Sequence, residues 1–130
     1  MIFSSIMNVK KIKNIKSEIV SAGEGTSRRV LISSDEAPNF AMRKFVIKPG
    51  GSIHAHTNTV EHEQYVLSGS ATIGIGDEVY EVEKDDVIYI PAGVPHWYEV
   101  RSEESFEFLC MVPNGDDKIE LVKKELKNPK

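Results

Sequence analysis

The sequence predicts an all-β barrel or sandwich, and three observations support this fold class. The chain has 130 residues, which suits one domain, and hydrophobic residues make up 40% of it, enough for a real core. From Arg28 onward, short apolar segments rich in Val, Ile, Tyr and Phe recur along the chain. Turn residues separate these segments at near-regular spacing, which is typical of sandwiches and barrels.

Glycine and proline pairs set the boundaries of the predicted strands, for example at Pro49-Gly50-Gly51 and Ser68-Gly69. The segment Gly74-Ile75-Gly76-Asp77 lies between two strands, so we interpret it as a hairpin turn and not as a phosphate loop. The predicted strands are 29–33, 40–48, 53–56, 62–68, 70–75, 78–82, 87–90, 96–100 and 105–112.

The chain divides into an N-terminal arm (1–27), a barrel (28–115) and a C-terminal tail (116–130). The arm shows no clean helical stripe, and one strand is expected in it. The tail carries Ile119, Leu121, Val122 and Leu126, a pattern too short to distinguish a helix from a last strand.

Composition argues against several classes of partner. The net charge is −4, and Lys and Arg are scattered without a basic stripe, so no nucleic-acid partner is expected. No apolar run approaches the roughly 18 residues that span a bilayer, so no membrane partner is expected either. The first six residues are too short for a secretory signal, and the single Cys110 cannot form an internal disulfide; a cytoplasmic protein is therefore expected.

Several predicted strands are apolar on both faces, as in Tyr65-Val66-Leu67 and Val87-Ile88-Tyr89-Ile90. A barrel wall with one face in water should instead alternate between apolar and polar residues. We therefore expect the arm and a second subunit to cover the outer face, which predicts a homodimer.

All four histidines of the chain are placed where they could bind one metal ion. His54 and His56 are two residues apart, which in a regular strand places both rings on one face. His62 begins the next strand, and His96 follows the Pro91-Ala92-Gly93-Val94-Pro95 turn. Neutral imidazole is the commonest metal ligand among side chains, so the pattern predicts one metal site.

The first three histidines resemble the first motif of the cupin superfamily, in which His-x-His is followed by a loop, a glutamate, six residues and a glycine. Pro49-Gly50-Gly51 matches the usual lead-in, and counting back from Gly69 places His62 at the glutamate position. The resemblance implies that His62 replaces the usual carboxylate ligand. Glu61 and Glu63 flank it, on the opposite strand face, and one of them is the alternative ligand.

The second cupin motif resembles Pro91-Ala92-Gly93-Val94-Pro95-His96. Asp85 stands where glycine is usual and Val100 where asparagine is usual, and neither departure touches the ligand. The two motifs together cover about residues 40–112. The resemblance implies a double-stranded β-helix, the jelly-roll barrel of cupins.

A narrower resemblance comes from Ala37-Pro38-Asn39-Phe40-Ala41-Met42-Arg43 and Glu107-Phe108-Leu109-Cys110, which look like the small four-histidine monocupins of thermophilic microbes. Manganese binding is typical of that group, so manganese is the expected ion, with Fe, Ni, Cu and Zn as alternatives. Four neutral ligands would leave the ion its full charge and make it a strong Lewis acid. The implied ligands are His54, His56, His62 and His96.

Strand parity places further candidate site residues on the histidine face. Phe108 would form an apolar wall there, and ordinary core packing is the alternative for both Phe108 and Cys110. Tyr65 and Trp97 are expected to point outward as interface or surface cover. The candidates on the inward face are Gln64, Tyr98, Phe108 and Cys110.

Arg43 shares a strand face with Ala41 and Phe45, which predicts an inward guanidinium. It could bind an anionic substrate through two parallel hydrogen bonds. The alternative is an ion pair with an acidic residue such as Glu107.

These observations favour a metal-dependent enzyme acting on a small organic molecule, most simply an oxygenase. An isomerase or lyase that uses Lewis acidity is the enzymatic alternative. A non-catalytic module that senses or stores a small ligand or metal is the alternative from a different class. Cupin sensors carry DNA-binding helices, and none is predicted in this chain.

Overall fold

Antiparallel strands make up almost all of the regular structure, which confirms the predicted all-β jelly roll. A computed structural model of the chain describes residues 8–115 and 117–122. Within these residues no helix is both long and apolar enough to cross a bilayer. The described part contains one short 3₁₀ helix, Ile12–Asn14, and the strands β1 Glu18–Ile19, β2 Gly23–Ile32, β3 Phe40–Asn58, β4 His62–Ser68, β5 Ser70–Ile75, β6 Glu78–Glu83, β7 Val87–Ile90, β8 His96–Glu99, β9 Phe106–Pro113 and β10 Ile119–Leu121.

Strand β3 is the centre of the architecture. The sequence predicts two strands, 40–48 and 53–56, whereas the structure forms one 19-residue strand that bends at Pro49-Gly50-Gly51. Gly50 has φ +82°, and a Cβ at Gly51 would lie 2.6 Å from the Glu24 carbonyl oxygen, so this bend needs glycine. The first half of β3 pairs with β9 and the second half with β8, which closes the order β6-β5-β8-β3-β9-β4-β7 into a curled sheet.

The predicted arm and tail contain more strand structure than the sequence predicts. Strand β2 begins at Gly23, inside the predicted arm, and pairs with β3 along most of its length. The tail forms strand β10, which pairs with the end of β3, so the strand alternative is the one observed. Leu126 lies outside the described residues.

The interior is closely packed and mainly apolar. Phe108 stacks between two aromatic rings, with centroid distances of 5.1 Å to Phe45 and 5.3 Å to Tyr98. Each large apolar side chain removed from water contributes roughly 1.5–3 kcal/mol. The side chains with at most 1% exposure include Ile47, Val66, Ile73, Ile90, Val100, Phe106, Phe108 and Cys110.

An outer face with several exposed apolar side chains extends across β9, β4 and β7 and is bordered by Lys44 on β3. Strand register places Lys44, Leu109, Tyr65 and Val87 in one row across these strands. Val87 is 75% exposed in this row, and Tyr89, in the neighbouring row, is 58% exposed. The arm lies against β2 instead, where Lys10 donates to the Leu31 carbonyl and pairs with Glu36. The described part of the arm, residues 8–27, therefore leaves most of this outer face uncovered.

Trp97 is not the surface cover that the sequence predicts. It points away from the barrel interior but is only 6% exposed, because its indole packs over Gly74 on the neighbouring strand. A Cβ at Gly74 would lie 2.0 Å from Nε1 of Trp97. Glycine at this position is therefore a packing requirement.

The departure from the second motif at Asp85 has a structural explanation. Asp85 has φ +74°, the left-handed region where glycine is usual and Asp or Asn are tolerated. Its carboxylate accepts a hydrogen bond of 2.7 Å from the Tyr65 hydroxyl, which holds the turn in place.

The Gly74 contact predicts that Gly74→Ala destabilises the protein by about 1–3 kcal/mol, because the indole of Trp97 must move. The midpoint of urea unfolding measures the loss. Gly115→Ala is the matched control, since a Cβ there meets nothing within 4 Å, and we expect a change within about 0.5 kcal/mol. Equal midpoints for the two variants would contradict the packing role.

Candidate metal centre

A small cavity of about 50 Å³ inside the barrel has three histidines in its wall: His56 from β3, His62 from β4 and His96 from β8. All three are buried, with exposures of 7%, 6% and 1%. The ring centroids of His56 and His96 are 4.2 Å apart, and those of His62 and His96 are 5.7 Å apart. The fold thus brings together residues that are up to 40 positions apart in sequence.

Backbone carbonyls fix the tautomer of two of these imidazoles. Nδ1 of His56 lies 2.7 Å from the His54 carbonyl oxygen, and Nδ1 of His96 lies 2.9 Å from the Val94 carbonyl oxygen. A carbonyl can only accept, so each Nδ1 carries the hydrogen and donates it. The lone pair is then on Nε2, which is how a second hydrogen bond orients a metal-binding histidine.

Burial keeps the three imidazoles neutral. Loss of hydration lowers the pKa of His62 to about 3, helped by the nearby charge of Arg43, and lowers the pKa of His96 to about 4. Burial lowers the pKa of His56 as well. At neutral pH all three rings therefore have a lone pair available to a metal ion.

His54 does not share the cavity. Its side chain is 54% exposed, and its Nε2 lies 3.7 Å from a carboxylate oxygen of Glu24. The pairing of β3 with β8 shifts by one residue between Ile53 and His56. This bulge reverses the alternation of side chains, so the expected common face of His54 and His56 is not formed.

The donor set fits a transition metal in its chemistry, but its atoms are not gathered around one point. Nε2 of His62 and Nε2 of His96 are buried without any hydrogen-bond partner, which is unusual for polar atoms in a protein interior. Neutral imidazole nitrogens are suitable ligands for the first-row metals. In the conformation observed, however, the described residues contain no group of three or more His, Cys, Asp or Glu side chains spaced to hold an ion.

The remaining candidate site residues all line the same cavity. The Tyr98 hydroxyl donates to Oε1 of Gln64 at 2.9 Å, and Nε2 of Gln64 lies 3.5 Å from the Cys110 sulfur. Burial raises the pKa of Cys110 and of Tyr98, so the thiol and the phenol stay protonated. Phe108 forms part of the apolar wall.

Arg43 also lies in the cavity wall. The alternative expectation, an ion pair between Arg43 and Glu107, was wrong. Glu107 instead forms an ion pair of 3.0 Å with Lys44. Adjacent residues of a strand point to opposite faces, so Lys44 is outside and Arg43 is inside. The guanidinium of Arg43 lies 5.3 Å from the ring centroid of Phe45, and its Nη2 donates to the Cys110 sulfur at 3.2 Å.

Glu61 and Glu63, the alternative ligands, do not line the cavity. Glu61 is exposed and Glu63 is half-buried beside it. Partial burial and the hydrogen bond to Glu61 raise the pKa of Glu63 to about 7. These carboxylates interact with each other, away from the three buried imidazoles.

One polar residue of the cavity was missed by sequence reasoning. Asn58 is 4% exposed, and its Oδ1 is buried without a hydrogen-bond partner. The predicted strand 53–56 ends before Asn58, whereas β3 continues to Asn58 and puts it two residues beyond His56, on the same face. Strand parity would have identified it if the strand had been extended.

A larger cavity of about 370 Å³ lies outside the barrel, between the arm and β2. Its wall is mainly apolar, with Ile12, Leu31 and Met42 among its residues. Its two charged groups, Lys10 and Glu36, already form an ion pair with each other. The histidine cavity therefore has the unpartnered polar atoms that a functional site requires, and the outer cavity has none of this kind among the described residues.

Comparison with known proteins places this geometry in a family. The Cupin_2 model of the cupin domain matches residues 43–112, more than half of the chain. Acireductone dioxygenase of Citrobacter koseri is 35% identical over 68 residues, which cover 49% of this chain and 38% of that protein. The chain thus matches well under half of the length of this curated relative.

Two solved structures have the same fold. The polyketide cyclase RemF from Streptomyces resistomycificus superposes with a TM-score of 0.83 at 29% identity, covering 93% of this chain and 89% of that chain. An oxalate decarboxylase variant from Bacillus subtilis gives a TM-score of 0.70 at 25% identity, covering 87% of this chain and 31% of that chain. With the family match over the barrel and these superpositions, the chain belongs to the cupin family.

Proposed function

We propose that this cupin is a metal-dependent enzyme that acts on a small organic molecule inside the barrel. The observation that carries the proposal is the pair of buried Nε2 atoms on His62 and His96, which have no hydrogen-bond partner. Each such atom left unpaired in an apolar interior lowers the free energy of unfolding by about 1–3 kcal/mol. A bound metal ion would offset that cost.

The proposed ligands are His56, His62 and His96, with His54 as the fourth. His54 lies on the opposite strand face, so it would join the others only if the bulge between Ile53 and His56 rearranges when an ion binds. Manganese is the proposed ion, by analogy with the four-histidine monocupins, and Fe, Ni, Cu and Zn suit the same ligands. Bound there, a divalent ion would supply Lewis acidity to the oxygen atoms of a ligand.

The surroundings of the histidines suit chemistry on a small molecule. The stacked rings of Phe45, Phe108 and Tyr98 exclude water from one side of the cavity. Gln64 is held by Tyr98, so its amide keeps one orientation. Burial raises the pKa of the Cys110 thiol, which favours its neutral form and disfavours a role as a nucleophile.

Two reaction classes have support from the relatives. Similarity to acireductone dioxygenase favours an oxygenase, and this is our leading assignment. Similarity to the polyketide cyclase RemF covers more of the chain and favours a reaction without net oxidation, which is the second assignment. Both would use the same neutral ligands, and consumption of oxygen distinguishes them.

We also propose that the protein is a cytoplasmic homodimer in which a second copy covers the outer face of β9, β4 and β7. The exposed Val87 and Tyr89 support this, because large apolar side chains grouped on one sheet face are typical of an interface. A free, buried Cys110 suits the reducing cytoplasm.

The metal site predicts that untagged protein, reconstituted with Mn²⁺ and dialysed, retains about one equivalent by elemental analysis. His62→Gln and His96→Gln should each lose most of it, because each removes a buried nitrogen ligand. Glu61→Gln is the matched control beside His62 and should retain the metal. Less than about a tenth of an equivalent in the wild type would overturn the metal site.

The enzyme assignment predicts metal-dependent turnover. We expect oxygen consumption by the reconstituted protein with small enediol compounds, measured with an oxygen electrode, and its loss in His96→Gln. Conversion of the compound without oxygen consumption would favour the second assignment. Tight binding without turnover for any of the five metals would instead favour a non-catalytic binding module.

The interface predicts that the wild type sediments as a dimer and that Val87→Glu sediments as a monomer. Val87 is 75% exposed, so a charge there should leave the fold intact and disturb only the contact between copies. Val79→Glu, 40% exposed on β6, is the control and should remain dimeric. A monomeric wild type at all concentrations would contradict the homodimer.

A further inference from the structure

Arg43 carries a positive charge in the cavity wall that no described carboxylate balances. A guanidinium stays protonated in proteins and offers five N–H donors. Its Nη2 donates to the Cys110 sulfur at 3.2 Å, which is a weak acceptor, and its Nε is buried with no hydrogen-bond partner at all. The ring of Phe45 at 5.3 Å compensates the charge only in part.

The nearby carboxylates have other partners. Glu107, on the strand that pairs with β3, forms its ion pair with Lys44 on the outer face. Glu63 hydrogen-bonds to Glu61, outside the cavity. Among the described residues, Arg43 takes part in no ion pair with Asp or Glu.

The acidic groups inside the cavity do not supply the missing negative charge either. Cys110 and Tyr98 are the ionisable acids that line it. A thiol and a phenol ordinarily lose their protons only above about pH 8 and about pH 10, so neither supplies a full negative charge at neutral pH.

Arg43 is only half-buried, but its charge has no counter-ion and its Nε is buried without a hydrogen-bond partner. Such an unpaired N–H lowers the stability of the folded protein, so its presence at a site needs another reason. Resting on the proposed function of the cavity as a ligand site, we propose that Arg43 is a substrate-binding residue that holds the carboxylate of a small organic anion. The planar guanidinium matches a carboxylate with two parallel hydrogen bonds. The anion would then have one end on Arg43 and the other toward the histidines.

The size of the cavity limits this anion to a few non-hydrogen atoms. A volume of about 50 Å³ compares with roughly 10–15 Å³ for one water-sized probe, so the space suits about three to five such positions. Pockets for drug-sized ligands are about 300–1,000 Å³. In this conformation the cavity suits a short hydroxy or oxo acid and is too small for a polycyclic substrate.

The test is calorimetric titration of glycolate, a two-carbon hydroxy acid, into wild type, Arg43→Met and Lys44→Met, each metal-free and Mn²⁺-loaded. Lys44→Met is the matched control, since it removes the same charge one residue away on the opposite face. We expect R43M to bind glycolate about 10- to 100-fold more weakly, and K44M to match the wild type. The neutral isostere glycolamide should bind all three proteins equally.

Thermal unfolding of the metal-free proteins adds a readout that a structural arginine would not give. Because R43M removes a half-buried charge without a counter-ion and a buried N–H without a partner, it should unfold at the same or a higher temperature than the wild type. Arg43→Lys keeps the charge but not the planar fork, so it should give an intermediate loss of glycolate affinity. If R43M does not fold, the glycolate affinity of R43K tests the role of Arg43 instead.

The possible outcomes separate this inference from the proposed function. Unchanged glycolate affinity in folded R43M or R43K with metal retained would overturn the role of Arg43 alone. A wild type that takes no metal but binds glycolate through Arg43 would overturn the metal site alone. A lower unfolding temperature in R43M with unchanged glycolate affinity would make Arg43 a structural residue.

Discussion

The interior of this protein depends on the continuous pairing of one bent strand, β3. Its first half pairs with β9 and its second half with β8, so it belongs to both walls of the barrel. The bend at Gly50 and Gly51 makes this possible, since no other residue fits so close to the Glu24 carbonyl. Along β3, inward positions supply Arg43 and Phe45 from one wall and His56 and Asn58 from the other. The site is therefore built across the bend.

The chemistry of the cavity follows from the burial of its side chains. Burial keeps the imidazoles, the Cys110 thiol and the Tyr98 phenol neutral, because each charged form would lose its hydration. Two arginines, Arg28 and Arg43, also line the cavity, and a guanidinium keeps its charge in proteins. Arg28 is paired with Glu18, so the cavity combines neutral nitrogen donors with one positive charge, that of Arg43, that has no ion pair among the described residues. That combination suits a metal ion and an anionic ligand bound together better than either one bound alone. The anion would offset the positive charges of the ion and of Arg43.

Much of the fold could be predicted from sequence because it depends on local patterns. Turn residues and the short apolar segments between them predicted β4, β5 and β7 with their observed bounds. Strand parity also placed Gln64, Tyr98, Phe108 and Cys110 on the cavity side. Asp85 in place of glycine was tolerated, because aspartate can adopt the left-handed backbone of that turn. These features depend on near neighbours in the chain, and the sequence records them directly.

The sequence by itself determined the all-β class, the residue types of the cavity and which of them lie two positions apart. Only the tertiary structure decided three further points: the exposed position of His54, the pairing of Glu107 with Lys44, and the packing of Trp97 over Gly74. Each depends on contacts between distant strands. A one-residue bulge against β8 reverses side-chain direction, and no local pattern specifies against which partner strand a bulge will form.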